Sequence, residues 1–114
     1  MKPEPNPLPL NLVLLTGRIL RRSDLSRTAL GVPVITLVLA ETDPPARSSD
    51  SDGFPEELSV ELWGNLALDK NDALKPGGLV FVEAQVAGRR RQDRNTKLVH
   101  RWMILKARKI QILS

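Results

Sequence analysis

A chain of 114 residues is long enough for one domain around one modest core, and 41% apolar with 26% charged residues is the composition of an ordinary soluble globular protein. It has no cysteine, which excludes disulfides and thiolate metal sites and fits a reducing compartment. The net charge of +4 is segregated: residues 41–76 hold three basic and nine acidic groups, whereas residues 77–114 hold nine basic and two acidic, so the last third points to a polyanionic partner.

MKPEPNPLPLN has proline at 3, 5, 7 and 9 and no apolar h-region, so residues 1–10 read as an extended tail rather than a signal or transit peptide. NLVLLTGRILRR (11–22) is strand-like, with Gly17 marking a bulge or sharp bend. SDLSRTALG (23–31) is a turn, and PVITLVLAE (33–41) is a second strand with apolar residues on both faces. The apolar run at 28–40 is too short to span a bilayer and contains Pro33, so no membrane contact is expected. TDPPARSSDSDGFP (42–55) lacks periodicity and predicts a long, acidic, mobile loop.

EELSVELW (56–63) alternates, with Leu58, Val60 and Leu62 facing one way and Glu57, Ser59, Glu61 and Trp63 the other. The one helix is expected within 64–78, with Leu66, Leu68 and Leu74 on its apolar side and Pro76-Gly77-Gly78 ending it. LVFVEAQVAGR (79–89) is a fourth strand, with Val80, Val82, Ala84 and Val86 on one face. The basic stretch GRRRQDRNTK (88–97) follows as a connection, and KLVHRWMILKARKIQIL (97–113) is a fifth strand whose alternation breaks near Lys106-Ala107.

Three strands, a short helix and two more strands give an all-β chain: residues 11–114 are expected to form one five-stranded Greek-key barrel of the OB-fold type, with the helix between strands three and four. Such barrels often bind oligonucleotides on the face around strands two and three, flanked by loops that include the last connection, here GRRRQDRNTK. The apolar second faces of the first two strands (Leu12 and Leu14; Val34 and Val38) need a cover, which predicts a homodimer, with a tetramer as the larger alternative.

These strands resemble a known family. NLVLLTGRI, GVPVITLVLAE, VELWGNLA, KPGGLVFVEAQVAGRR and IQIL are similar, in order and spacing, to segments of the bacterial single-stranded-DNA-binding proteins, over about residues 11–113. The primosomal replication protein B branch is a near alternative. The resemblance implies an OB-fold that binds single-stranded DNA without sequence preference in replication, repair or recombination, in a bacterial cytoplasm and at its nucleoid. It also exposes departures. By position, stacking tryptophans of the family correspond to Glu57, about Asp43 and Arg91, and only the aromatic before the third-strand glycine is kept, as Trp63. The family's linker and acidic tip have no counterpart in these residues, so recruitment of partners is not implied.

The chemistry expected is therefore mainly electrostatic. Each neutralised phosphate releases counterions, and guanidinium planes lie against bases. The contact residues expected are Arg18, Arg21 and Arg22 on the first strand, Arg89, Arg90, Arg91, Arg94 and Lys97 in the basic stretch, and Arg101. Trp63 is either a base-stacking platform or a rim residue of an oligomer interface; Trp102 is either a second platform or core. His100, the only histidine, has no metal-ligand or nucleophile companion and reads as a polar strand residue. No phosphate-cradling glycine loop and no rigidly placed carboxylates point to an enzyme, a cofactor, a metal or a small-molecule substrate.

Glu57 and Glu61 stand on the face expected to meet phosphate. Either the bound strand shifts toward the arginines of strands one, four and five, which is the favoured arrangement, or these carboxylates pair with arginines such as Arg18 or Arg101. The loop 42–55 is a further anionic competitor for the basic patch. Two other readings stay open: single-stranded RNA as ligand, and a barrel that has lost strand binding and serves as a protein-interaction subunit.

Overall fold

The computed structural model describes residues 10–41 and 57–114. The expected loop at 42–55 and all but the last residue of the expected tail lie outside the described residues. The elements are β1 (Val13–Arg22), β2 (Ser26–Arg27), β3 (Pro33–Glu41), β4 (Glu57–Trp63), α1 (Asn65–Lys70), β5 (Leu79–Gln92) and β6 (Val99–Ile112). The five long strands are those expected; β2 is a two-residue addition in the turn before β3.

The strands run in the order β1-β5-β6-β4-β3, and β1 also pairs with β3, so the sheet closes on itself. β4 and β6 are parallel, at Val60–Leu105 and Glu61–Lys106, and every other pairing is antiparallel. This is the closed five-stranded barrel of the OB-fold. Closure depends on β1 serving two neighbours. Its first part pairs with β5, from Val13–Ala84 to Arg18–Leu79, and its second with β3, from Gly17–Glu41 to Arg22–Leu37. At the changeover a Cβ on Gly17 would stand 3.1 Å from the Ala40 carbonyl oxygen and 3.1 Å from Leu39 Cβ. A side chain there would press β3 back by a few tenths of an ångström, which favours glycine, and the bulge itself falls nearby, between Ile19 and Arg21.

Alternation decides which residues enter the barrel. Ile35, Leu37 and Leu39 of β3, Val60 and Leu62 of β4, and Val80, Val82 and Ala84 of β5 are fully buried. Ile19, Ala107 and Ile110 complete the interior. In β6 the break comes at Arg108, an extra residue between the Ala84–Ala107 and Glu83–Lys109 pairs, which keeps both Ala107 and Ile110 inward.

The helix is shorter than its sequence suggested. It ends at Lys70, its buried residue is Ala67, and Leu68 is exposed. Leu74 is buried from the turn that follows, not from a helical face. Arg22 fastens the segment after the stop: its guanidinium donates to the carbonyl of Asn71, the C-cap, at 2.6 Å and to the Leu74 carbonyl in the following turn at 2.9 Å. The KPGG turn is tied to β1 in the same way, by Ile19 N–H to the Gly78 carbonyl (2.8 Å) and Gly77 N–H to the Ile19 carbonyl (2.7 Å). No helix among the described residues is long and apolar enough to cross a membrane.

Candidate nucleic-acid interface

The site begins with the residues that alternation turns outward. On β4 these are Glu57, Ser59, Glu61 and Trp63, because Val60 and Leu62 point in. On β5 they are Gln85, Ala87, Arg89 and Arg91, and on β6 their partners Lys106, Ile104, Trp102 and His100, of which Ile104 is covered and only 6% exposed. Parallel pairing sets Glu61 beside Lys106. One cluster results. Glu61 Oε1 accepts from the Arg89 guanidinium at 2.5 Å and from Trp63 Nε1 at 2.9 Å. The Arg89 guanidinium carbon lies 6.0 Å, and Lys106 Nζ 5.4 Å, from the centre of the Trp63 ring. Trp63 is half-buried within its own barrel, flanked by two cations in range to interact with its π-face.

The basic stretch is not a loop. β5 runs on to Gln92 and β6 starts at Val99, so Arg89, Arg90 and Arg91 stand on a strand and alternate between its faces. β1 stops pairing with β5 at Ala84. Beyond it the Asn11 amide replaces a strand neighbour, accepting from Val86 N–H at 2.8 Å and donating to its carbonyl at 2.9 Å. Past that point β5 and β6 continue as a two-stranded arm that leaves the barrel. Asp93 builds its tip: the carboxylate accepts from Asn95 N–H at 2.7 Å and Thr96 N–H at 3.3 Å, and Lys97 adopts a left-handed φ of 63°. Arg90, Arg91, Arg94, Lys97 and Arg101 are all exposed on this arm, as is His100 opposite Arg91. Trp102 is 46% exposed and opposite Arg89, which rules out a place in the core.

The first-strand arginines divide differently. Arg22 is half-buried and committed to the end of α1. Arg18 donates to the Gly77 carbonyl at 2.8 Å but stays exposed. Arg21 reaches across β3 to Glu57 in a two-pronged pair, 2.9 and 3.2 Å. That hydrogen bond raises the Arg21 pKa and is the main reason the Glu57 carboxyl lies below its ordinary value. Both outward carboxylates of β4 are thus paired, with Arg21 and Arg89 rather than Arg18 or Arg101. Sequence reasoning missed Lys106, whose signal was its position four residues after Trp102, on the same face of β6, and Asn11, which carries no signal of its own.

Comparisons with known proteins agree with this architecture. The family model for the single-strand binding protein family matches residues 10–113. A curated relative, a single-stranded DNA-binding protein of Borreliella burgdorferi, is 30% identical over 87 residues, 76% of this chain and 58% of that protein. Among solved structures, the single-stranded DNA-binding protein of Thermus aquaticus superposes with a TM-score of 0.71 at 29% identity, over 92% of this chain and 50% of that one. The PriB protein of Ralstonia solanacearum shares the fold, with a TM-score of 0.63 at 15% identity, over 93% of this chain and 100% of that one. The chain therefore spans 58% of the Borreliella relative and half of the Thermus structure.

Proposed function

The chain belongs to the single-strand binding protein family, and on that premise we propose that it binds single-stranded DNA with little sequence preference, holding single strands during replication, repair or recombination in a bacterial cytoplasm. The observation that carries this reading is the continuity of the Trp63 cluster with the arm. A tryptophan flanked by cations adjoins a ribbon whose arginines and lysine reach solvent. Phosphates supply the anions such a surface lacks, and bases supply flat faces for Trp63, Trp102 and the guanidinium planes. The working set is Trp63, Arg89, Arg90, Arg91, Arg94, Lys97, Arg101, Trp102 and Lys106. Arg18 and Arg21 are peripheral, and Arg22 is scaffold. The pairing of Glu57 and Glu61 removes the repulsion that an acidic strand would present, so the bound strand has no need to avoid β4.

The reading extends to assembly. Leu12, Leu14 and Leu20 are exposed by 49, 56 and 38% on the outward side of the first strand and its approach. An apolar stripe of this kind on a small barrel suits a second copy of the chain, in a two-fold dimer. Leu12→Glu with Leu14→Glu then yields monomers by sedimentation.

Titration of oligo-dT and oligo-U, read by fluorescence anisotropy at about 20 and about 200 mM salt, tests the ligand. If five cations reach phosphates, log affinity falls against log salt with a slope of about −3.5. No binding at low salt would leave the interaction subunit as the surviving reading. Stronger binding of oligo-U would make RNA the ligand.

A further inference from the structure

Register on the arm produces an arrangement that the barrel does not need. Arg90 lies directly opposite Arg101, so both side chains leave the same face of the ribbon. Cβ atoms of such a pair stand about 4.5–5.5 Å apart, and like charges there destabilise the strands. Among the described residues no acid relieves them. Asp93 is engaged in the tip, Glu61 in the Arg89–Trp63 cluster, and Glu83 pairs in register with Lys109 and leaves the opposite face. Among the described residues neither Arg90 nor Arg101 has an ion pair or a side-chain hydrogen bond. A ribbon that needed only solubility would be served as well, and held together better, by a glutamate across from an arginine.

Their neighbours on that face are unusual too. Gly88 lies opposite Met103, which is 71% exposed. A Cβ on Gly88 would meet nothing within 4 Å, so packing does not demand the glycine. Its effect is to leave a bare strip of backbone beside Arg90, in a shallow groove lined by Gly88, Arg89, Arg90, Arg101, Trp102 and Met103.

We propose that this face of the arm, turned away from Trp63, is a second contact for the bound strand, in which Arg90 and Arg101 clamp a single phosphodiester and the adjoining base rests over Gly88 against the Met103 thioether. The inference rests on the single-strand reading above. A phosphate between the two guanidiniums turns their repulsion into two charge-assisted bonds to one anion. A methionine sulfur is polarisable and packs well on a flat ring. The strand thereby touches both faces of the ribbon, the Trp63 side through stacking and this side through the clamp.

The test uses Arg90→Gln, Arg101→Gln and the double variant, with oligo-dT at several salt concentrations and thermal melts without ligand. Each single variant is expected to weaken binding by about tenfold at low salt, the loss of one charged hydrogen-bonding partner. Because the two arginines share one phosphate, the double variant should flatten the log–log salt slope by about 0.7. A flattening of about 1.4 would mean two separate phosphate contacts and would overturn the clamp. Without ligand, each single variant is expected to melt higher at low salt, since repulsion is relieved; a lower melting temperature would count against the clamp. Unchanged affinity in all three variants, with tight binding by the wild type, would remove this contact and leave the parent reading standing. Failure of the wild type to bind would remove both.

Discussion

The barrel wall and the arm both present arginine, but ion pairs with carboxylates occur on the wall and none on the arm beyond Arg89 among the described residues. On the wall, Arg21 and Arg89 each hold a β4 carboxylate, and Arg22 is consumed by the end of α1. On the arm, Arg90, Arg91, Arg94 and Arg101 face solvent, and the one local acid is occupied in shaping the tip. The wall is therefore arranged to be stable and smooth toward a polyanion, while the arm holds charge in reserve. Wall and arm meet at Arg89, which belongs to both.

If that division is right, the largest loss should come from the arm alone. Arg91→Ala, Arg94→Ala and Lys97→Ala in one variant are expected to lower oligo-dT affinity by about a hundredfold at low salt and to flatten the salt slope by about 2, with the oligomer intact. Anisotropy titrations and sedimentation read both. A small loss would place the binding charge on the wall instead.

The same contrast explains what the sequence disclosed. The barrel was legible because its strands alternate around a buried side: Ile35, Leu37 and Leu39, then Val80, Val82 and Ala84, announce an inside. The arm was not, because from Arg90 outward both faces are exposed and a strand with two wet faces leaves no apolar period to read. Its arginines thus passed for a loop. The carboxylate partners were hidden for another reason. Arg21 and Glu57 are 36 residues apart and Glu61 and Arg89 are 28 apart, and only the closed register brings them together. The turn after α1 is likewise fastened by Arg22, 49 residues from Asn71.

A smaller effect than the arm variant separates stacking from charge on the wall. Trp63→Ala removes a base platform and is expected to weaken binding about tenfold, within the usual range for one stacked base, with the salt slope unchanged. Glu61→Gln should act in the other direction. The amide oxygen still accepts from Trp63 Nε1, but the charge that competes for Arg89 is gone, so affinity should rise by about twofold to fivefold at low salt. Weaker binding by Glu61→Gln would mean that Glu61 matters more as the holder of the Trp63 geometry than as a rival of phosphate.

The smallest effect belongs to the Arg21–Glu57 pair, whose side chains are 61% and 46% exposed. The hydrogen bond from Arg21 is the leading cause of the depressed Glu57 pKa; loss of solvent opposes it and charge attraction adds to it. A carboxyl depressed in the folded state adds stability above its ordinary pKa, and that stability is lost as pH falls through the depressed value. Solvent screening keeps the contribution small. Arg21→Gln should accordingly melt slightly below the wild type at neutral pH, with the difference closing as pH falls through the lowered Glu57 pKa. A gap that persists in acid would reveal packing by the Arg21 stem rather than charge. Binding responds with the opposite sign, because a neutral Glu57 releases its arginine: Glu57→Gln should bind oligo-dT about twofold more tightly at low salt and equally at high salt. If that gain failed to appear while Glu61→Gln tightened binding, the strand would pass over the β4–β6 side of the wall and leave the Arg21 side bare.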